Sequence, residues 1–305
     1  MGGVDVIAKL RTLNDHLAEL TDDHRAFVAE MLNRHDTGER LLLPDILQIV
    51  EMAVPGEAPP LDPIWKNGTV SALREHLDEV IWRYMPLEGL FSLLLTRRLH
   101  FSPLSQMDDT SEGTLPTRAL EQAKAQLPQR IVDGSDGIDA DLLMAHLVEQ
   151  RRTDACISCW FMNAVDHLYM WKKYAPRNGV AIRSTVRQLY SSLQQSNDTN
   201  IHMVPVEYFG PDEQEKYTDQ AYYGSLFIKD GRYRKEKELR ALAYLANPGT
   251  GVDIPTEIDA LIGRVTLSPY LPDWAVPGIT QSIRSFGFAG LIDKSSLRPN
   301  RRRRS

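Results

Sequence analysis

The chain has 305 residues, of which 42% are hydrophobic and 25% charged. That composition fits one large or two modest soluble globular domains with a full core, and it excludes disorder as the general state. The formal net charge of −6 argues against indiscriminate affinity for nucleic acid.

In chain order, residues 1–60 read as a helical appendage. Val6, Ile7, Leu10, Leu13, Leu17 and Leu20 recur at mixed three- and four-residue spacing. Thr21-Asp22-Asp23 is a helix start that sets Phe27, Val28, Met31 and Leu32 on one face. Pro44 suits the first turn of a third helix carrying Ile46, Ile49, Val50 and Met52. Helices this short need a surface to dock on, either the main domain or a protein partner. Val54-Pro55-Gly56-Glu57-Ala58-Pro59-Pro60 then reads as a linker.

The main domain is expected over 70–297. Leu73 to Val80 predicts a helix and Val80 to Tyr84 a short strand. Pro86 opens a helix to Leu95, followed by a strand at Leu99 to Ser102 and a polar loop over 103–113. A helical middle is interrupted by the turn-rich Asp133-Gly134-Ser135-Asp136-Gly137. Ala155 to Phe161 and Gly179 to Ile182 read as strands around a helix at Val165 to Tyr174. Val204 to Tyr208, Leu239 to Leu245, Ile262 to Leu267 and Gly290 to Leu291 read as further strands, with a helix at Ile279 to Phe286. The pattern is a helical N-terminus followed by a mixed α+β domain. Residues 298–305 form a basic tail in which Arg301, Arg302, Arg303 and Arg304 are consecutive. The tail is either a solvated terminus or a contact for phosphate or nucleic acid.

Only two cysteines occur, Cys156 and Cys159. They suit a reducing cytoplasm rather than a disulfide framework. Their spacing is the local half of a zinc site, which His167 or His202 would have to complete. No apolar run reaches transmembrane length, so neither membrane insertion nor export is expected.

Three distant segments carry the chemistry. In Trp82-Arg83-Tyr84, strand alternation places Arg83 opposite its aromatic neighbours, either at an exposed edge or in a cleft. In Cys156-Ile157-Ser158-Cys159-Trp160, the serine shares a face with Cys156 and Trp160, as a core hydroxyl does. Glu236-Lys237-Glu238 has two readings. Helix propensity favours Arg234 to Leu245 as an ion-paired helix, with Glu236 and Arg240 four residues apart. A strand would instead line Glu236, Glu238 and Arg240 on one face, where close carboxylates raise a pKa. Met170-Trp171-Lys172-Lys173-Tyr174 is either a base-stacking surface or an amphipathic helix face. Asp108, Asp109 and Glu112 match no calcium loop and read as solvated. No phosphate-binding glycine loop and no zinc-protease helix motif is present, and Ser158 lacks a nucleophile-elbow sequence.

These segments resemble a bacterial domain-of-unknown-function family, number twenty-nine seventy-one. The likeness runs through Trp82-Arg83-Tyr84, Leu99 to Asp109, and Ser158. It continues through Met170-Trp171 with Tyr174-Ala175 and Gly179-Val180. It ends with Lys229 and Tyr233 before Glu236, Glu238 and Arg240, and with Ile279 to Ile292. It covers roughly 78–297 and departs from the family pattern at Met107-Asp108, where that pattern has an asparagine.

That family in turn resembles the ADP-ribosyltransferase superfamily. The resemblance implies a mixed, mostly antiparallel split sheet with surrounding helices, and NAD+ as substrate with no metal. It implies catalytic roles for Glu238 and Glu236, the first for the ribose and its developing positive charge, the second for the acceptor. It implies that Arg83, Tyr84, Ser158, Trp171 and Tyr174 bind the NAD+. The acceptor would be a protein or a nucleic acid, in a toxin or anti-phage setting. Two alternatives stay open: a non-catalytic nucleotide- or phage-sensing interaction module, and a metal-dependent nuclease built on Lys229, Glu236 and Glu238.

Overall fold

The computed structural model describes residues 75–110, 112–114, 140–193, 201–210, 224–245 and 248–298, with Ala29, Leu73, Leu120, Glu121 and Lys124 besides. The expected N-terminal helices, the 54–60 linker, the 133–137 break and the arginines at 301–304 lie outside these residues, apart from Ala29.

Strand β1 (Val80–Met85) is covered on both faces. Ile81 and Met85 enter the main core, while Trp82 and Tyr84 join a second apolar cluster behind it. Pro86 then turns the chain into α1 (Leu87–Thr96), which buries Leu90, Leu93 and Leu94. β2 (Arg98–Pro103) follows, then α2 (Ala140–Asp154) and β3 (Ala155–Met162). α3 (Leu168–Tyr174) leads to β4 (Val180–Thr185) and directly into α4 (Val186–Leu193). A Cβ on Gly179 would meet the Ala175 side chain at 2.4 Å, so only glycine lets the chain turn this tightly between α3 and β4.

Next come β5 (Ile201–Pro205), β6 (Glu207–Phe209), β7 (Ile228–Asp230), a 3₁₀ turn (Gly231–Glu236) and β8 (Glu238–Tyr244). The chain ends through β9 (Val252–Pro255), α5 (Ile258–Leu261), β10 (Arg264–Leu267), α6 (Val276–Ser285) and β11 (Leu291–Lys294). No helix among the described residues is long and apolar enough to cross a membrane.

Among the described residues, nine strands form one sheet in the order β11-β10-β4-β1-β3-β2-β9, with β8 on β3 and β5 on β8. Among the described residues its pairings are antiparallel except β10 with β11, so the sheet is mixed and largely antiparallel, as expected. β6 and β7 make a separate parallel pair.

The register of β3 contains a fork. β8 pairs with it continuously from Ala155 to Phe161. On its other edge, β1 takes Phe161 and Met162, and β2 takes Cys156 and Ile157. Ser158, Cys159 and Trp160 lie in the opening where β1 and β2 part.

Several expectations shift. Residues 75–78 are a turn rather than helix, and β1 begins at Val80. The helix expected from Val165 starts at Leu168, because His167 caps it by accepting the Tyr169 N–H. The segment expected as one strand at Val204 to Tyr208 divides between β5 and β6. The helix reading of Arg234 to Leu245 is wrong. Lys237 takes a left-handed conformation at φ 38, which ends the 3₁₀ turn, and Leu239, Ala241 and Ala243 then alternate into the core.

Candidate active site

Arg83 fills the fork. Its guanidinium donates to Ser158 Oγ on β3 and, at 3.2 Å, to the His100 carbonyl on β2. It also lies over the Trp160 ring, 5.9 Å from the ring centre. One arginine therefore ties together the three strands that diverge there.

A charge cluster stands on the sheet face that carries Trp82 and Phe161. β8 pairs Glu238 with Phe161 and Arg240 with Cys159, so both charged side chains project from that face. Arg240 is fully buried. Its Nε donates to Glu238 Oε1 at 2.7 Å, and its other nitrogens reach Glu112 Oε1 and the Leu226 carbonyl. Lys229 Nζ lies 2.8 Å from Glu236 Oε2, 3.2 Å from Glu238 Oε2 and 3.4 Å from Glu112 Oε1. Glu236 Oε1 also accepts from Lys173 Nζ and, at 2.8 Å, from the Tyr174 hydroxyl, both on α3.

Local sequence explains how these groups are delivered. The β6–β7 pairing sets Lys229 beside Tyr208, whose hydroxyl accepts the Glu238 N–H at 2.8 Å. Asp230 caps the 3₁₀ turn by accepting from Arg232 N. A Cβ on Gly231 would stand 3.0 Å from the Phe209 carbonyl, so glycine lets the turn start against β6. Lys237 in its left-handed conformation then separates Glu236 from Glu238 while both carboxylates still reach Lys229.

The electrostatics keep the carboxylates charged. Burial alone would raise the Glu238 pKa, but Arg240 and then Lys229 hold it at about 2. Glu236 likewise lies below its ordinary value, because Lys229 and the bonds from Lys173 and Tyr174 outweigh its burial. Burial works against the Lys229 charge, yet Glu238, Glu112 and Glu236 raise its pKa well above the ordinary lysine value. Cys159 stays a thiol, pushed up by burial and then by Glu238.

Arg83, Glu236, Glu238 and Lys229 line one cleft, walled by Trp82, Tyr84, Phe161 and Met170 and bordered by Tyr174 and Cys159. It encloses about 210 Å³. Pockets that enclose a whole drug-sized ligand run to roughly 300–1,000 Å³. This cleft has room for a ring together with its sugar, and the rest of a dinucleotide would extend out of it past its rim. It offers a cation for an anionic group, ionised carboxylates for a cationic one and an aromatic wall for a flat ring.

The expected site residues divide accordingly. Arg83, Tyr84, Tyr174, Glu236 and Glu238 meet at the cleft. Ser158 does not reach it: the side chain is 0% exposed, accepts from Arg83 and Trp160, and stands behind the arginine. Trp171 is also 0% exposed. It donates to Asp166 and packs edge-on against Tyr84 at 4.9 Å, beneath the cleft wall.

Glu112, read from sequence as part of a solvated loop, is 4% exposed and belongs to the cluster. Nothing local marked it, because its partners Lys229 and Arg240 are more than a hundred residues away. Tyr233 and Arg240 were visible in the resemblance but were given no part in the site, and Lys173 was read only within the aromatic and cationic segment 170–174. Cys156 and Cys159 are free and point to opposite faces of β3, one into the main core and one toward Arg240, so they cannot share a metal. Among the described residues no group of three or more His, Cys, Asp or Glu is arranged to hold a metal ion.

No family model and no curated protein matches the sequence, so the likeness to family twenty-nine seventy-one stays a resemblance. Among solved structures, Thermus sp. 2.9 DarT in complex with ADP-ribosylated ssDNA is similar at 10% identity and a TM-score of 0.33, over 72% of this chain and 94% of that one. The same protein in complex with carba-NAD+ gives 10% identity and a TM-score of 0.32, over 72% and 96%. Its complex with NAD+ gives 10% and 0.33, again over 72% and 96%. With overlap this low, the functional reading rests on the cleft's own groups.

Proposed function

We propose that the chain is an ADP-ribosyltransferase-like enzyme that cleaves NAD+ and transfers ADP-ribose to a macromolecular acceptor. The observation that carries this reading is that Arg83 and two ionised carboxylates, Glu236 and Glu238, line one small aromatic-walled cleft. NAD+ presents the complementary pattern: an anionic pyrophosphate, a ribose and a flat cationic nicotinamide.

In this reading Arg83 holds the pyrophosphate side, while Trp82, Tyr84 and Phe161 wall the nicotinamide. Glu238 accepts from the ribose 2′-hydroxyl. As the C–N glycosidic bond breaks, nicotinamide leaves with the bonding electrons and positive charge develops on the ribose. A fixed carboxylate in a partly dry cleft stabilises that charge more than water does. Glu236, held by Lys173 and Tyr174 from α3, orients the acceptor and takes its proton.

A nucleic acid is the favoured acceptor. Lys172 and Arg177 on and after α3, and Lys235 and Lys237 in and after the 3₁₀ turn, are exposed and have no ion partner among the described residues. They belong to the two segments that bring Tyr174 and Glu236 to the cleft, in a chain that is acidic as a whole.

The test is release of nicotinamide from NAD+ by the purified chain, alone and with single-stranded DNA, RNA or cell protein. Release accompanied by ADP-ribose on one acceptor is expected. Binding of NAD+ without release under every condition would leave the non-catalytic sensing reading in its place.

A further inference from the structure

Three carboxylate oxygens, from Glu112, Glu236 and Glu238, converge on Lys229 Nζ within 3.4 Å. An ammonium thus takes the place that a divalent cation takes in a carboxylate–metal site. Lys229 is itself 9% exposed and stands over the Tyr233 ring at 5.1 Å. The charges facing it come from every side. β8 supplies Glu238 and Arg240, the 112–114 segment supplies Glu112, and the 3₁₀ turn supplies Glu236. The Cys159 thiol and the Tyr208 phenol adjoin it from β3 and β6, while α3 places Lys173 and Tyr174 on the far oxygen of Glu236. Three carboxylates are balanced there by Lys229, Arg240 and Lys173. Removing the Lys229 charge alone leaves one uncompensated negative charge in a buried place, and a carboxylate must then take up a proton.

We propose that Lys229 is a positioning residue of the reaction described above. Its ammonium holds Glu236 and Glu238 side by side and keeps both ionised, so that the acceptor-facing and ribose-facing carboxylates stay in place for their separate roles. The catalytic part of this inference rests on the NAD+-cleaving reading; the organisation of charge does not.

The test is a ¹³C NMR titration of glutamate carboxylates in the full chain, free of NAD+, alongside the pH profile of turnover. In the unsubstituted protein the Glu236 and Glu238 signals should stay ionised below the ordinary carboxylate range, Glu238 the further of the two. In Lys229→Met one cluster carboxylate should titrate higher by about 1 pH unit or more. In Lys229→Ala, n-propylammonium should reverse that shift and the neutral n-propanol should not. Turnover by Lys229→Met should show an acid limb displaced to higher pH by the same amount, with the KM for NAD+ little changed. Ordinary carboxylate titration in the unsubstituted protein would overturn the proposal and needs no variant to fold. An unaltered titration in Lys229→Met would overturn it too. The expected titrations in a protein that never cleaves NAD+ would uphold the role of Lys229 and overturn the enzymatic reading.

Discussion

The Arg83 guanidinium donates to the Ser158 hydroxyl across the fork where β1 and β2 part on β3. Ser158 is buried and Arg83 lines the cleft, so the serine acts on a ligand only through the arginine. Hydrogen bonds to charged groups are worth about 1.5–3 kcal/mol. Ser158→Ala should therefore weaken NAD+ binding about tenfold, and Arg83→Ala more. Because the two act in series, the double variant should bind no worse than Arg83→Ala alone. Calorimetric titration of the four proteins with NAD+ decides this, and additive losses would mean that Ser158 contacts the ligand itself.

Arg240 is the structural anchor of the cluster. It is fully buried between Glu112 and Glu238. Replacing one partner of a buried ion pair costs about 3–5 kcal/mol, because the other charge stays behind unpaired. Arg240→Met should lower stability by about that amount in urea unfolding. A loss below about 1 kcal/mol would show that water solvates Glu238 and Glu112 freely.

The pH dependence of stability has a definite sign at each end. The folded pKa values of Glu236 and Glu238 lie below the ordinary glutamate value of 4.5, with Glu238 at about 2. Their contribution is complete above the unfolded value and is lost as pH falls through the folded one. Lys229 is raised above 10.5, so its contribution is complete below that pH and is lost above it. Tm should be level from about pH 5 to about pH 10 as far as this cluster decides it, and should fall on the acid side. Glu238→Gln should flatten the acid limb. Superimposable acid limbs in the two proteins would contradict the assignment.

Glu236 and Glu238 should separate kinetically. Glu236 is held by Lys173 and Tyr174 from α3, whereas Glu238 is held by Arg240. Glu236→Gln should reduce transfer to an acceptor about tenfold or more while leaving hydrolysis of NAD+ nearly unchanged, the pattern of a lost general base. Equal loss of both activities would place Glu236 in the bond-breaking step.

Strand and helix order was largely legible from apolar periodicity, since β1, β3, β4 and α1 carry their own patterns of Val, Ile, Trp and Leu. Where local propensity and tertiary packing disagreed, propensity misled. Arg234 to Leu245 is helix-forming in isolation, but from Glu238 onward it is pulled into the sheet by Leu239 and Ala241. Site membership was less legible than structure. Alternation put Ser158 on the same face as Trp160, but not which face the cleft would occupy. The segment of Trp171 left a stacking surface and an amphipathic helix face both open, and α3 turns the ring under Tyr84 as a buried helix face does. Glu112 had no signal at all, because its burial depends on cations brought by β7 and β8.

In the proposed reaction Glu238 stabilises positive charge on the ribose of NAD+ as nicotinamide departs. Nicotinamide release by Glu238→Gln, set beside NAD+ affinity of the same protein, decides whether it does. An interaction made mainly in the transition state acts on turnover and little on bound substrate. Turnover should therefore fall by about two to three orders of magnitude, the scale of one lost electrostatic stabiliser, with affinity within about twofold. A folded Glu238→Gln protein that releases nicotinamide at the unsubstituted rate would contradict the account and leave Glu238 as a partner of Arg240 alone.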